Sequence, residues 1–572
     1  MASSHRRSLL RLRVLVAALG LSLPVFVPSS PKRAATETAE VRVAKTLLAR
    51  VDDRARQLPP HIGEALESFY EDRGGRPAWL RSASFWRRAG PIGEVGQLLE
   101  ALRDAERFAL EPEVYGADAL EARIERAYRD GAPEPGLRDE LEIALSEAFL
   151  RFASHLSRGR VDPARLDIGW YVAAPEPELA PWLAVVFTGG VDEAIRSAEP
   201  PHPEYRQLAD ALARYRRIAK AGGWNTTREA GWAKGDALRE RLAIEGFAHR
   251  DLEEAVRAFQ RAHGIVEDGI AGPETIAELL VSAEERVRQI ELNLERWRWV
   301  PRDFGGPHLR VNVPSFELEL RDGRGRRTLA MRVVVGQEAR ALRAKPQDDD
   351  PEEEAQREDW GTPLLSDRIE YIVLNPFWNV PHSITVEELL PALQEDSERL
   401  AEQRLEVVSG WDEDVRPVDP DSIDWDELAE EDGELRLRQL PGPHNALGRI
   451  KFMLPNPMNI YLHDSPEGAL FEETQRDFSH GCIRLERPLA LAVRLLEGDP
   501  DWDEARIRRA IESEERVEID LPEPVPIHVL YWTAIPSGQD RVAFHRDLYG
   551  IDEALRRALG HRRPRNVAAG SP

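Results

Sequence analysis

From about residue 60 to 220 apolar positions recur every three or four residues, as in Leu141, Leu145, Ala148, Phe149, Phe152 and Leu156. That spacing gathers side chains on one face of a helix. Gly159-Arg160-Val161-Asp162-Pro163 follows, and a glycine with a proline close behind ends the helix. No ionisable cluster at catalytic spacing occurs in this stretch, so residues 41–240 read as a helical scaffold. Residues 245–282 show the helical period twice: Leu252, Val256 and Phe259 make one face, and Ile276, Leu279 and Leu280 a second. Asp268-Gly269 and Gly272-Pro273 punctuate a tight loop between them. After residue 305 the period changes. Leu309–Val313, Phe316–Leu320, Leu329–Val335, Ile369–Leu374 and Ile527–Trp532 are short β-rich runs bounded by Pro, Gly and Asp, which predicts a mainly antiparallel β domain over 300–555. The strand pattern breaks between Pro381 and Leu435, and the segment at about 385–440 is long enough to be a helical lid over one end of the sheet. The fold class is therefore multidomain α+β: helical scaffold, small helical module, mainly β domain with an inserted helical lid.

A length of 572 residues suits two to four domains. Charged residues make up 31% of the chain, and beyond the N-terminus no apolar run approaches the roughly 20 residues that span a bilayer. The formal charge of −25 argues against nucleic acid, since phosphate-backbone binding needs a basic surface. Part of the acidity sits in two runs, Asp348–Asp359 and Asp412–Glu434, which read as exposed loops. In residues 1–40, Arg6, Arg7, Arg11 and Arg13 precede the apolar stretch Val14–Val27, and small and polar residues follow. That is the order of an export signal and linker, and His5-Arg6-Arg7-Ser8 leaves the twin-arginine route open beside the general one. Export places the chain in the periplasm, with a membrane as partner only if the signal stays uncleaved. Residues 556–572 read as a tail.

An exported chain with one cysteine, Cys482, cannot form an intramolecular disulfide. The thiol is then either buried or used. His463 ends a strand-like run, and nineteen residues later Cys482 lies within Ser479-His480-Gly481-Cys482-Ile483-Arg484, before the apolar run Leu489–Leu496. The layout reads as strand, loop, glycine turn, helix, which would set the thiol near a helix N-terminus and lower its pKa. His463 is positioned in this reading to take the thiol proton and hand it to a leaving amine. Backbone N–H groups around Gly481 and Cys482 would form an oxyanion hole, and glycine at 481 permits the tight turn. The bland alternative for Cys482 is a small buried hydrophobe.

The Ser479-His480-Gly481-Cys482-x-Arg484 run with His463 upstream resembles the signature of YkuD-type L,D-transpeptidases. Ala255-Val256-Arg257-Ala258-Phe259-Gln260-Arg261 and Asp268–Thr275 resemble the PG_binding_1 peptidoglycan-binding module. Leu292–Trp299, Asn375–Pro381 and Pro441–Gly448 resemble the long periplasmic subfamily that carries a helical scaffold as well. The resemblance implies Cys482 as acyl-forming nucleophile, His463 as proton acceptor and donor, and Ser479, His480 and Gly481 as supporting residues. It further implies Arg484 against a substrate carboxylate, and Tyr461, Trp378 and Asn379 along the cleft. It implies peptidoglycan stem peptides and glycan as partners, with other proteins of cell-wall synthesis left open, no cofactor and no metal. A Cys482 thioester with a tetrapeptide stem would release D-Ala, an amine on a neighbouring stem would complete a 3-to-3 cross-link, and carbapenems would acylate the same sulfur. Three rivals stand beside it: an L,D-carboxypeptidase or other hydrolase using the same thiol, a zinc peptidase using His444, His463, Asp464 or His480, and a pure binding protein.

Overall fold

The computed structural model describes residues 44–560 apart from 81–85, 88–89, 92, 130–132, 225–233, 338–359, 411–414, 420–421, 424, 431–432 and 539–540. The expected export signal, the acidic run Asp348–Asp359, parts of the second acidic run and the tail beyond 560 lie outside the described residues. Among the described residues no helix is long and apolar enough to cross a membrane.

The N-terminal region is helical. Its long helix, Pro135–Arg158, opens on a proline, whose missing N–H costs nothing in a first turn, and it buries the predicted stripe Leu141, Leu145, Ala148, Phe149, Phe152 and Leu156. Gly159 ends it at φ +86° and lies so close to Glu295 that a β-carbon there would stand 2.6 Å from Oε1. Glu295 belongs to the helix Ala283–Trp297, accepts the Val161 N–H at 2.9 Å and pairs with Arg298. One buried carboxylate thus ties the scaffold to the segment that enters the β domain.

The small module holds the two expected helices, Leu252–His263 and Pro273–Leu279. An additional helix, Gly235–Ile244, lies upstream of the expected boundary and adds Leu238 and Leu242 to the same core as Val256, Phe259 and Leu279. The buried Gln260 amide fastens the glycine-rich loop: its nitrogen reaches Asp268 Oδ1 at 2.8 Å and the Ile270 carbonyl at 2.9 Å, and its oxygen accepts the Gly269 N–H at 2.8 Å.

The C-terminal domain is a mainly β closed barrel. In chain order its strands are β1 (His308–Asn312), β2 (Glu317–Arg321), β3 (Arg327–Gly336), β4 (Leu364–Leu374), β5 (Ile450–Met453), β6 (Leu462–His463), β7 (Ile483–Leu485) and β8 (Val517–Leu530). Around the ring the order is β5-β6-β7-β3-β2-β1-β8-β4, and β4 pairs back to β5. β6–β7 and β8–β1 are parallel, and the other ring pairs are antiparallel.

Residues 375–449 are inserted between β4 and β5. The expected helical lid is in fact mixed. Short helical turns at His382–Glu402 and Trp425–Leu428 accompany a four-stranded sheet ordered Arg416–Pro417, Leu405–Ser409, Leu435–Gln439, Trp378–Asn379. Leu405 and Val407 flank Glu406, and Leu435 and Leu437 alternate with Arg436 and Arg438, so a period of two overrides the helical reading. The insertion closes over its own core of Val380, Ile384, Leu390, Leu393, Leu400, Val407, Leu428 and Leu437.

Candidate active site

β6 and β7 run side by side in parallel, with Leu462 opposite Ile483 and His463 opposite Arg484. On the other flank β5 sets Lys451 opposite His463 and Phe452 opposite Leu462. Phe452, Leu462 and Ile483 are buried in the barrel core. Strand side chains alternate between faces, so Lys451, His463 and Arg484 share the outer face. The Ile483 N–H donates to the Tyr461 carbonyl at 3.1 Å, which continues the ladder one step and brings Tyr461 and Cys482 onto that face too. Residues from three separate segments thereby meet.

His463 is buried, and its Nδ1 donates to the Asp464 carbonyl at 2.6 Å. A carbonyl can only accept, so Nε2 is the bare acceptor of the ring. Burial holds the imidazole down at about 3, with Arg484 adding to the effect and backbone hydrogen bonds opposing it. Cys482 is half-buried, and burial pushes its thiol up; the Tyr461 N–H, Lys451, the Tyr461 hydroxyl and Arg484 pull the other way. The resting pair is thiol and neutral imidazole. Tyr461 has its ring centroid 5.7 Å from His463, and burial beside the sulfur raises its phenol well above the usual value. Burial also lowers Lys451 to about 8, opposed by its attraction to Cys482.

The expectation of a thiol at a helix N-terminus is corrected by β7. Ile483 and Leu485 are both fully buried and hold the segment extended, so the helix begins only at Pro488. The thiol therefore has no helix dipole to depress its pKa.

The turn carrying Cys482 is braced from inside. Ser479 Oγ donates to the Cys482 carbonyl at 2.6 Å and accepts the Gly481 N–H at 3.3 Å. Gly481 sits at φ +106°, where side chains are strained. Its carbonyl accepts from Thr362 Oγ1 at 2.8 Å, and the same hydroxyl accepts the Gly336 N–H at 2.8 Å. Tyr549 donates to the Gly336 carbonyl at 2.8 Å. His480 faces outward: its ring lies 4.1 Å from that of Trp360, and Nε2 meets Glu388 Oε1 of the insertion at 2.7 Å. Arg484 pairs with Glu467.

The remaining predicted residues divide. Asn379 lines a cavity that Lys451 also lines. Trp378 is paired with Gln439 in the insertion's sheet and packs against the insertion core. His444 is exposed on a loop. Sequence reasoning missed Lys451, Thr362, Asn456 and Glu388. Asn456 fastens the loop before β6 by donating to the Ile460 carbonyl at 2.7 Å, which helps hold the Asn459 carbonyl 4.0 Å from the Cys482 sulfur. Lys451 had a signal, since it is the polar position between Ile450 and Phe452.

A helical N-terminal region feeding a closed barrel, with a thiol and an imidazole on the outer face, defines a multidomain α+β class with its site on the β domain. Residues 306–507 match the family of the L,D-transpeptidase catalytic domain (YkuD), residues 64–212 the "Scaffold domain" family, and residues 237–279 the "Putative peptidoglycan binding domain" family. A protein of Haemophilus influenzae described as "Putative L,D-transpeptidase" is 31% identical over 277 residues, 48% of this chain. That match spans 50% of the relative's length. In chain order the sequence therefore matches a scaffold-domain family, a peptidoglycan-binding-domain family and the L,D-transpeptidase catalytic-domain family.

Proposed function

We propose that this chain is an exported cysteine L,D-transpeptidase that cross-links peptidoglycan stem peptides. The observation that carries the reading is the shared outer face of Cys482, Tyr461 and His463, with His463 Nδ1 committed to a backbone carbonyl. In the reaction, Cys482 sulfur attacks the L-centre carbonyl of a tetrapeptide stem while His463 Nε2 takes the thiol proton. Ser479 Oγ already engages the Gly481 N–H, so the Cys482 N–H is the donor we assign to the developing oxyanion. His463 then passes its proton to the departing D-Ala amine, leaving a thioester. An amine on a neighbouring stem's diamino acid attacks that thioester and loses a proton to His463. The proton returns to the Cys482 sulfur as the 3-to-3 cross-linked product leaves. Ser479 and Gly481 hold the turn, and His480 joins it to the insertion.

The neutral resting pair suits this sequence. A thiol that ionises only as it attacks avoids standing as an exposed thiolate in an oxidising compartment.

Incubating the protein with purified tetrapeptide stems and analysing the products by mass spectrometry tests the reading. Cross-linked dimers with free D-Ala are expected. Tripeptide alone would make the enzyme an L,D-carboxypeptidase instead. A carbapenem should add its full mass to the wild type and not to Cys482→Ala; an adduct surviving in that variant would remove Cys482 from its role.

A further inference from the structure

Behind the catalytic turn lies a carboxylate pair that the reaction does not use. Asp547 and Asp552 meet where the chain enters the helix Ile551–Ala558. Asp547 accepts the Asp552 N–H at 3.1 Å, the Glu553 N–H at 3.3 Å and the Tyr531 hydroxyl at 2.8 Å. Asp552 pairs with Arg296 at 2.5 Å and accepts the Thr533 hydroxyl at 2.9 Å. The titratable and charged groups that face Asp547 are thus Asp552, Arg296 and the Tyr531 phenol. Glu553 pairs with Arg556 and Arg557, and Arg546 reaches Gln475 at 3.3 Å.

From this pair hydrogen bonds run without a break to the turn. The Tyr549 N–H donates to the Tyr531 hydroxyl at 2.7 Å. The Tyr549 hydroxyl accepts the Thr362 N–H at 3.1 Å and donates to the Gly336 carbonyl at 2.8 Å. Thr362 Oγ1 in turn holds the carbonyl of Gly481 at 2.8 Å, one residue before Cys482. Tyr531, Tyr549 and Thr362 are all buried, so water does not stand in for a lost partner.

Burial first and then the Asp552 charge push the Asp547 carboxyl up to about 6. A proton arriving there makes one of its oxygens a donor and displaces one of the donors already in place. Two of those are backbone N–H groups at the start of a helix, whereas the Tyr531 hydroxyl can rotate. Its rotation disturbs the lone pair that holds the Tyr549 N–H, and Tyr549 carries the disturbance to Gly336 and Thr362.

We infer that Asp547 and Asp552 are positioning residues of the site: their ionised pair holds the Gly481–Cys482 turn through Tyr531, Tyr549 and Thr362, and protonation loosens that hold. The inference rests on the reading of Cys482 as the acylated nucleophile. With the imidazole of His463 at about 3 and the thiol pushed up, the reacting pair supplies no limb of its own between pH 5 and 7.5.

Acylation of the full chain by a saturating carbapenem, followed by intact mass against time from pH 5 to 7.5, tests it. In wild type the rate should fall about tenfold toward pH 5, short of the roughly hundredfold cost of a 1 Å misplacement. Asp547→Asn keeps the shape without the charge and should hold the low rate at every pH. Asp552→Asn removes the repelling charge, so its limb should move about one pH unit or more toward acid. A flat wild-type profile, or a limb unchanged in Asp547→Asn, overturns the inference.

Amide hydrogen exchange over residues 479–485 of wild type, corrected for the intrinsic pH dependence of exchange, keeps the inference separate from acylation and from the folding of any variant. Protection should drop about tenfold between pH 7.5 and 5 as the turn opens locally. Such a drop supports the positioning role even if no carbapenem adduct forms, an outcome that would remove only the acylation reading. Protection that stays constant overturns the positioning role even if the acylation profile bends.

Discussion

The protonation state of Cys482 can be measured directly, because this chain has one cysteine and any alkylation is read from a single mass shift. Burial holds the thiol above its ordinary value and the His463 imidazole at about 3. An ordinary thiol, at about 8.5, is about 3% thiolate at pH 7, and burial puts Cys482 below that fraction. A preformed thiolate–imidazolium pair with a thiol pKa near 4 would be almost wholly ionised there. The two states thus differ at least about 30-fold in the reactive fraction at neutral pH. They differ in shape as well: iodoacetamide alkylation should climb nearly tenfold per pH unit from pH 6 to 8 in the neutral state and stay flat in the ion pair. His463→Ala should leave the profile within about threefold, since a neutral imidazole contributes no charge to the thiolate. An alkylation plateau below pH 7 that vanishes in His463→Ala would refute the neutral pair.

Thr362→Val keeps the side-chain shape but strands the buried Gly336 N–H and Gly481 carbonyl that share its hydroxyl. It should cost about 2–4 kcal/mol in denaturant unfolding of the β domain and lower turnover beyond that loss; an unchanged midpoint would show the brace to be idle. Gly481→Ala forces a side chain to φ +106° with its β-carbon 3.3 Å from Ile460 Cδ1, so carbapenem acylation should fall at least tenfold while the far-ultraviolet spectrum is kept. His528, buried and bonded to Ser366 Oγ and the Phe304 carbonyl, is depressed from 6.5 to about 4. Its contribution to stability is complete above about pH 6.5 and is lost as pH falls toward 4, because the unfolded chain takes the proton first. The advantage of wild type over His528→Gln should therefore shrink by up to about 1.4 kcal/mol per pH unit across that window; a constant difference between pH 7 and 4.5 would contradict it.

Much of the architecture was legible because it rests on long periodic segments. The stripe from Leu141 to Leu156 filled one face of a single helix as its spacing predicts, and Gly159 ended it. The runs at Leu309, Phe316, Leu329 and Ile369 each became a barrel strand, and the Cys482 and His463 positions came from local residue chemistry alone. The strand ending at His463 was expected, whereas Ile483–Leu485 escaped because three residues are too short to display a period. Ile483–Leu485 was read only as part of the glycine turn before the apolar run Leu489–Leu496. The insertion was misread as helical because its strands are five residues or shorter and lie among acidic turns.

That missed strand explains why the charge state of the thiol was misjudged although the structure does bring Cys482 and His463 onto one face. A thiol's pKa depends on what desolvates it and which charges face it, and here those are decided by register. Burial keeps the His463 imidazole neutral, and pairing it with Lys451 on one side and Arg484 on the other adds cations that reinforce the effect. Moving the β6–β7 pairing by one residue would turn Cys482 inward beside Leu462 and take it from His463 altogether. Gly481, the Thr362 bridge and the Ser479 turn all act to forbid that slip. The residues that look auxiliary in the sequence therefore select the face on which the thiol appears, and a site built this way fails by misregistration before it fails by loss of a reacting group.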